Sequence, residues 1–172
     1  MNLLTEIMRS PGLNLDGRMI FRRAVRSVVR QDGKILMVYS PVNRDYKFPG
    51  GGVEPEEDPV DALAREMREE CGVVVISTPR YLGSVAEYGH PVETDYDLFK
   101  MISDYYACEV DPGVAFLPQV LDDYEERLQF TPVWVDIDEA IDTNARLVAG
   151  EDCPRWTRRE LFVLRHLNSL DT

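Results

Sequence analysis

Between Asp58 and Gly72 the chain carries a segment whose form is set almost entirely by local chemistry. Asp58 is a natural N-cap, Pro59 suits the first helical position and Gly72 suits the residue just past the end, so the pattern predicts a helix between them. Val60, Leu63, Ala64, Met67 and Cys71 recur at helical spacing and give that helix an apolar stripe for the core. Its acidic residues work against stability. Glu66, Glu69 and Glu70 stand three and four apart and crowd one flank, where like charges repel. Glu69 and Glu70 also fall in the last turn, where the helix dipole disfavours negative charge by about 0.3–1 kcal/mol. Arg65 offsets part of this through an i, i+4 contact with Glu69. Neutralising Glu69 or Glu70 is therefore expected to leave the fold intact. Such a flank calls for a cation, and a hard divalent ion held by carboxylate oxygens supplies one. A solvated acidic face is the alternative on spacing alone.

The rest of the chain divides into strands and short helices. Leu3, Leu4, Ile7 and Met8 share a helical face, predicting a short helix within an N-terminal extension (residues 1–17) that breaks at Pro11-Gly12. A single domain is expected over residues 18–172, a length typical of one unit. Residues 18–30 are rich in Val, Ile and Phe and predict a strand, and Asp32-Gly33 turns the chain into a second strand over 34–39. Tyr46-Lys47-Phe48 is a short extended piece ending at Pro49. Residues 73–88 and 98–110 predict long strands, and 111–129 an acidic loop with room for one helical turn. Residues 131–135 predict a last strand, and 137–144 a short helix. Thr157-Arg158-Arg159-Glu160 has the form of a capping box opening a C-terminal helix with Leu161, Leu164 and Leu167 inward. Helices interrupt a mostly β chain without βαβ alternation, so the expected class is α+β, a mixed sheet flanked by helices.

Gly50-Gly51-Gly52 stands directly before the acidic helix, separated from it by Val53-Glu54-Pro55-Glu56-Glu57. A glycine loop lets backbone approach a ligand closely and can aim N–H groups at phosphates. In this order the residues resemble the Nudix hydrolase family. Its box runs Gly, five residues, Glu, seven residues, then Arg-Glu-apolar-x-Glu-Glu-x-Gly-apolar. Every fixed position is filled here, by Gly51, Glu57, Arg65, Glu66, Met67, Glu69, Glu70, Gly72 and Val73. The resemblance implies an α/β/α sandwich and cleavage of a pyrophosphate bond in a nucleoside diphosphate joined to another group, with Mg²⁺ or Mn²⁺. It implies that Glu66, Glu69 and Glu70 bind the metal, with Glu57 as a further ligand, that Arg65 orients the glutamates, and that Gly51 and Gly72 shape the loop and the helix end. The family draws its general base from the box or from a later loop. Glu125 and Glu126 both fall in such a loop and spacing does not decide between them; Glu126 is the base assigned at this point.

For the substrate, Arg22, Arg26 and Arg30 lie on one strand face, and Arg26 is assigned to phosphate together with Gly50, Gly51 and Gly52. Tyr88 stands near where family members that hydrolyse dinucleoside polyphosphates carry a tyrosine. The expected ligand is a small nucleotide diphosphate. With 19 Lys and Arg against 31 Asp and Glu, the net charge is -12, which repels phosphate backbones and excludes a counterion-release binder of polymeric nucleic acid. Three cysteines, Cys71, Cys108 and Cys153, form neither a CxxC pair nor an even disulfide set, as expected for a reducing compartment. The N-terminus lacks a signal-peptide pattern and no apolar run is long enough to span a membrane, so a cytoplasmic protein is expected. By analogy with a family whose members often dimerise, the N-terminal helix is available for a homodimer. Two alternatives share the fold. A non-catalytic nucleotide sensor usually goes with eroded glutamates, and an isoprenyl diphosphate isomerase would want a placed catalytic cysteine.

Overall fold

The computed structural model describes residues 2–111, 116 and 119–170. Strands β1 (Leu3–Met8), β2 (Met19–Val28), β3 (Arg30–Gln31), β4 (Lys34–Ser40) and β5 (Asp45–Lys47) precede helix α1 (Pro59–Cys71). Then come β6 (Arg80–Gly89), β7 (Leu98–Ala107), α2 (Asp123–Leu128), β8 (Thr131–Val135), α3 (Ile137–Val148) and α4 (Thr157–Ser169). One sheet has the order β1-β6-β7-β2, with β1 parallel to β6, β6 antiparallel to β7 and β7 parallel to β2. In the other, β4 pairs antiparallel with β3, β5 and β8. The β3–β4 hairpin turns on Asp32 and Gly33, both left-handed, as a two-residue turn that follows strand twist requires.

Alternation along β4 builds the layers. Leu36 and Val38 pack with Val25, Leu63, Met67 and Cys71 beneath α1, while Ile35 and Met37 pack with Phe48, Tyr105, Ala140 and Leu164 beneath α3 and α4. The result is the expected α/β/α sandwich. Leu161, Leu164 and Leu167 are buried, as the C-terminal pattern predicts.

Four local expectations are corrected. Residues 3–8 form edge strand β1 rather than a helix, hydrogen-bonded along β6. The strand expected over 73–88 begins at Arg80; before it, Val75 holds an isolated bridge to Val110. The capping box at α4 does not form, because the Thr157 hydroxyl donates to Asp45 and Glu160 accepts from the Phe48 N–H. On α1 the buried face is Ala62, Leu63, Glu66, Met67, Glu70 and Cys71, with Val60 left exposed. The apolar stripe is thus rotated so that two of the three crowded glutamates go inward. Part of the expected acidic loop, residues 112–115 and 117–118, lies outside the described residues.

Candidate active site

Helix α1 takes the form its end residues dictate. The Asp58 side chain accepts from the Val60 N–H, Pro59 opens the first turn, and Gly72 closes the last in left-handed conformation. Residues 49–53 run beside β2. Val25 N–H donates to the Gly51 carbonyl at 3.0 Å, Ser27 N–H to Pro49 at 2.9 Å and Val53 N–H to Arg23 at 3.0 Å. The glycines are needed for contact. Gly50 has φ +130° with the Val25 carbonyl where a Cβ would stand, and a Cβ on Gly51 would collide with the Glu66 carboxylate. The loop is therefore pressed between β2 and the acidic face of α1.

This arrangement sorts the four box glutamates between two cations. Arg65 holds three of them. Its Nε lies 2.9 Å from Glu57 Oε1, and its Nη1 lies 2.8 Å from Glu66 Oε1 and 3.1 Å from Glu69 Oε2. Its Nη2 reaches the Gly52 carbonyl at 3.0 Å. Hydrogen bonds from Arg65 hold the Glu57 carboxyl down at about 2, whereas burial and then the charge of Glu70 push Glu66 above the ordinary carboxylate value. Glu70 is turned the other way. It accepts from Lys47 Nζ at 2.5 Å and from the Gly50 N–H at 2.7 Å. Burial disfavours its charge, but Lys47, the Glu125 hydrogen bond and Arg26 together outweigh burial, and the carboxyl stays below its usual value.

Glu125 and Glu126 separate cleanly. Asp122 caps α2, and Glu125, three residues on, completes a capping box by accepting from the Asp122 N–H. That posture brings Glu125 within 3.8 Å of Lys47 and into a hydrogen bond with Glu70. Burial, then the hydrogen bond and charge of Glu70, push Glu125 up to about 8, so the proton of this pair resides on Glu125. Glu126 is exposed on the outer face beside Asp123 and Arg127. The loop carboxylate brought to the box is Glu125, not the assigned Glu126.

Of the assigned substrate residues, Arg26 is at the site. It is 9% exposed, its Nη1 donates to the Gly50 carbonyl, and among the described residues its buried Nε has no partner. The Gly50 N–H donates to Glu70, and the Gly51 and Gly52 carbonyls accept from Val25 and Arg65, so the loop positions carboxylates. Tyr88 is not brought in. It faces the other side of the sheet, where its hydroxyl donates to Glu6 and its ring lies 5.2 Å from Lys100 Nζ. Arg22 lies on the face of Arg26, whereas Arg30 falls beyond the end of β2.

Arg26 and Lys47 border a cavity of about 350 Å³, walled by Phe99, Met101, Tyr124, Phe130 and Trp156 and reached by Arg9, Arg155 and Arg159. Lys47, Arg9, Arg159 and Trp156 escaped the sequence reading. The one signal was Lys47 itself, a cation in a short apolar strand just before the glycines. Arg159, fully buried, pairs with Glu87 at 2.6 Å and with Glu160, and Arg9 reaches the same Glu87 at 3.1 Å. This network fixes α4 against β6 and leaves the cavity lined by cations and aromatic rings.

The donor set suits a hard divalent cation. Glu66 and Glu69 each place an oxygen within 3.1 Å of the same guanidinium nitrogen, and the repulsion between Glu66 and Glu70 is what an added cation would relieve. Among the described residues the protein's own Arg65 and Lys47 hold these carboxylates apart, and no three acidic, histidine or cysteine side chains converge on one point.

The NUDIX domain model matches residues 20–152, and the chain belongs to this family. It is 32% identical to Nudix hydrolase 13, mitochondrial, of Arabidopsis thaliana, over 63% of this chain and 52% of that protein. It is 43% identical to the CTP pyrophosphohydrolase of Escherichia coli, over 28% of this chain and 39% of that one. The chain thus spans about half or less of these relatives' length. A solved NUDIX hydrolase from Nitrosomonas europaea has the same fold, with TM-score 0.53 and 23% identity over 73% of this chain and 79% of that chain.

Proposed function

We propose that the protein is a Mg²⁺- or Mn²⁺-dependent hydrolase that cleaves a phosphoanhydride bond in a nucleoside diphosphate linked to a second group. The observation that carries this reading is the junction at Gly50. There Lys47, which bonds Glu70, and Arg26, which bonds the Gly50 carbonyl, connect the carboxylates of α1 to a cavity whose walls are arginine, lysine and aromatic rings. Carboxylate next to cation-lined cavity is the electrostatic complement of a diphosphate bridged by a divalent ion. Relatives named CTP pyrophosphohydrolase and RNA pyrophosphohydrolase support a pyrophosphohydrolase reaction here.

Glu66, Glu69 and Glu70 would hold the metal, with Glu57 beside them. Bound there, it would neutralise phosphate charge and lower the pKa of a coordinated water. Arg65 fixes the carboxylates before the substrate arrives, and the collision space at Gly51 keeps Glu66 against the loop. Arg26 lines the cavity, where its guanidinium would meet a phosphate oxygen, and Lys47 lies where it balances Glu70 or a leaving phosphate. Glu125 is the loop carboxyl beside the box, and once it gives up the proton it holds against Glu70 it would be positioned to take one from an attacking water. Trp156, Tyr124 and Phe130 provide faces for a nucleobase.

A panel of nucleoside triphosphates (canonical and oxidised), ADP-ribose, sugar nucleotides and dinucleoside polyphosphates tests this, with phosphate, pyrophosphate and nucleoside monophosphate as products. Turnover of at least one member with Mg²⁺, abolished by EDTA, is expected. Inertness across the panel would favour a non-catalytic nucleotide binder, and full activity under chelation would point to other chemistry.

A further inference from the structure

The cavity beside Glu70 does not end at Arg26. It shares Arg9, Arg22, Phe99 and Arg155 with an outer hollow of about 400 Å³ that Arg158 also borders. The two make one groove, running from Arg26 and Lys47 to the start of α4.

Its cations are unevenly matched. At the inner end Lys47 is paired with Glu70, and Arg159 with Glu87 and Glu160. At the outer end Arg9 has to share Glu87, and Arg22 stands 3.5 Å from Glu93. Among the described residues no carboxylate pairs with Arg155 or Arg158. Glu93 and Glu151 are the acidic residues on this hollow, fewer than its arginines. In a chain of net charge -12 such a local excess of positive charge needs a cause.

The start of α4 sharpens the point. Arg155, Arg158 and Arg159 gather at the positive end of the helix dipole, where cations are disfavoured. Among the described residues no side chain caps the first turn, since Thr157 and Glu160 are committed to Asp45, Phe48 and Arg159. This mirrors α1, which gathers glutamates at its negative end. Each arrangement is relieved by a counterion of opposite sign. At the inner end Arg26 lines the cavity, and among the described residues its buried Nε has no partner. The rings of Phe99 and Trp156 lie between, with the Arg9 and Arg22 guanidinium groups 5.3 and 5.9 Å from the Phe99 centroid.

We propose that the groove binds a ligand with two separated anionic groups: a diphosphate at Arg26 and Lys47, and a further phosphate, on the far side of the nucleoside, at Arg155 and Arg158 with Arg9 and Arg22. For a substrate this rests on the hydrolytic reading above and narrows it to nucleotides phosphorylated away from the scissile bond. Arginine suits the outer position because its planar fork bonds two phosphate oxygens at once.

Matched probes that differ by one remote phosphate test it: NADPH against NADH, and coenzyme A against 3′-dephospho-coenzyme A. Binding is measured by calorimetry in EDTA, and hydrolysis separately with Mg²⁺. In both pairs the phosphorylated member should bind about tenfold tighter, the expected scale for a charge-assisted contact. The preference should shrink with added salt and collapse towards parity when Arg155→Ala and Arg158→Ala are combined, with the unfolding temperature checking the fold. Parity in the wild type, including no binding of either member, overturns the proposal, and so does a preference that survives the double substitution. Hydrolysis of both members with parity in binding overturns the outer phosphate site alone. A binding preference without hydrolysis of any probe supports the site and contradicts the hydrolytic reading.

Discussion

Glu70 has its carboxylate enclosed between Lys47 and the Gly50 N–H, while the side chain of Glu69 beside it is 39% exposed and meets Arg65. Substitution should separate them. Glu70→Gln is expected to lower stability by about 1–3 kcal/mol, because Lys47 and the Gly50 N–H lose the charged acceptor between them and Lys47 keeps only the more distant Glu125. Glu69→Gln should stay within about 0.5 kcal/mol. Denaturant unfolding checks both, and adding Lys47→Met to Glu70→Gln should recover much of the loss. Helical spacing placed the glutamates on one flank but treated Glu69 and Glu70 alike. Depth was invisible, since it depends on a loop 20 residues away closing over the helix. The same holds for Glu125 and Glu126, which spacing cannot rank and the α2 capping box does. Glu125→Gln should reduce kcat more than Glu126→Gln, and the reverse order would reinstate Glu126.

At the scale of elements, α1 was readable because its caps, proline and glycine act within the segment itself. β1 was not. Its pairing with β6 shifts register between Leu3 and Thr5, so Leu4 and Ile7, three apart, both pack on the core side and imitate helical spacing. The start of α4 misled for a related reason, since Thr157 and Glu160 found tertiary partners stronger than the local cap. The glycine loop shows the opposite case, in which a sequence signal was right about closeness and the partner was a carboxylate. Gly51→Ala should displace Glu66 and lower kcat by about 100-fold, as misplaced catalytic groups do, while the protein still folds. Unchanged kcat would mean the loop tolerates the shift.

Over the whole molecule the charge of -12 has two parts. Much of it is surface acidity, while the α1 glutamates are held by Arg65 and Lys47, the second of which also lines a groove rich in arginine. Buried pairs tie this arrangement to pH. Burial works against the charge of Glu87, but Arg159 and Arg9 hold its carboxyl below the ordinary 4.5. Its contribution to stability is therefore full above pH about 4.5 and is lost as pH falls through the depressed value. The unfolding temperature should drop steeply below pH 4.5, and a flat profile down to pH 3 would contradict the pairing. The sandwich and the box could be read from sequence because both rest on periodicity and spacing; the groove could not, because Arg9, Arg26, Lys47 and Arg155 come from four distant parts of the chain. The most direct test of the central claim is the turnover of Glu69→Gln at saturating Mg²⁺, on the best substrate of the panel. A fall on the order of 10²-fold or more, with the unfolding temperature unchanged, is the predicted result. Turnover equal to wild type would contradict a metal held by the α1 carboxylates.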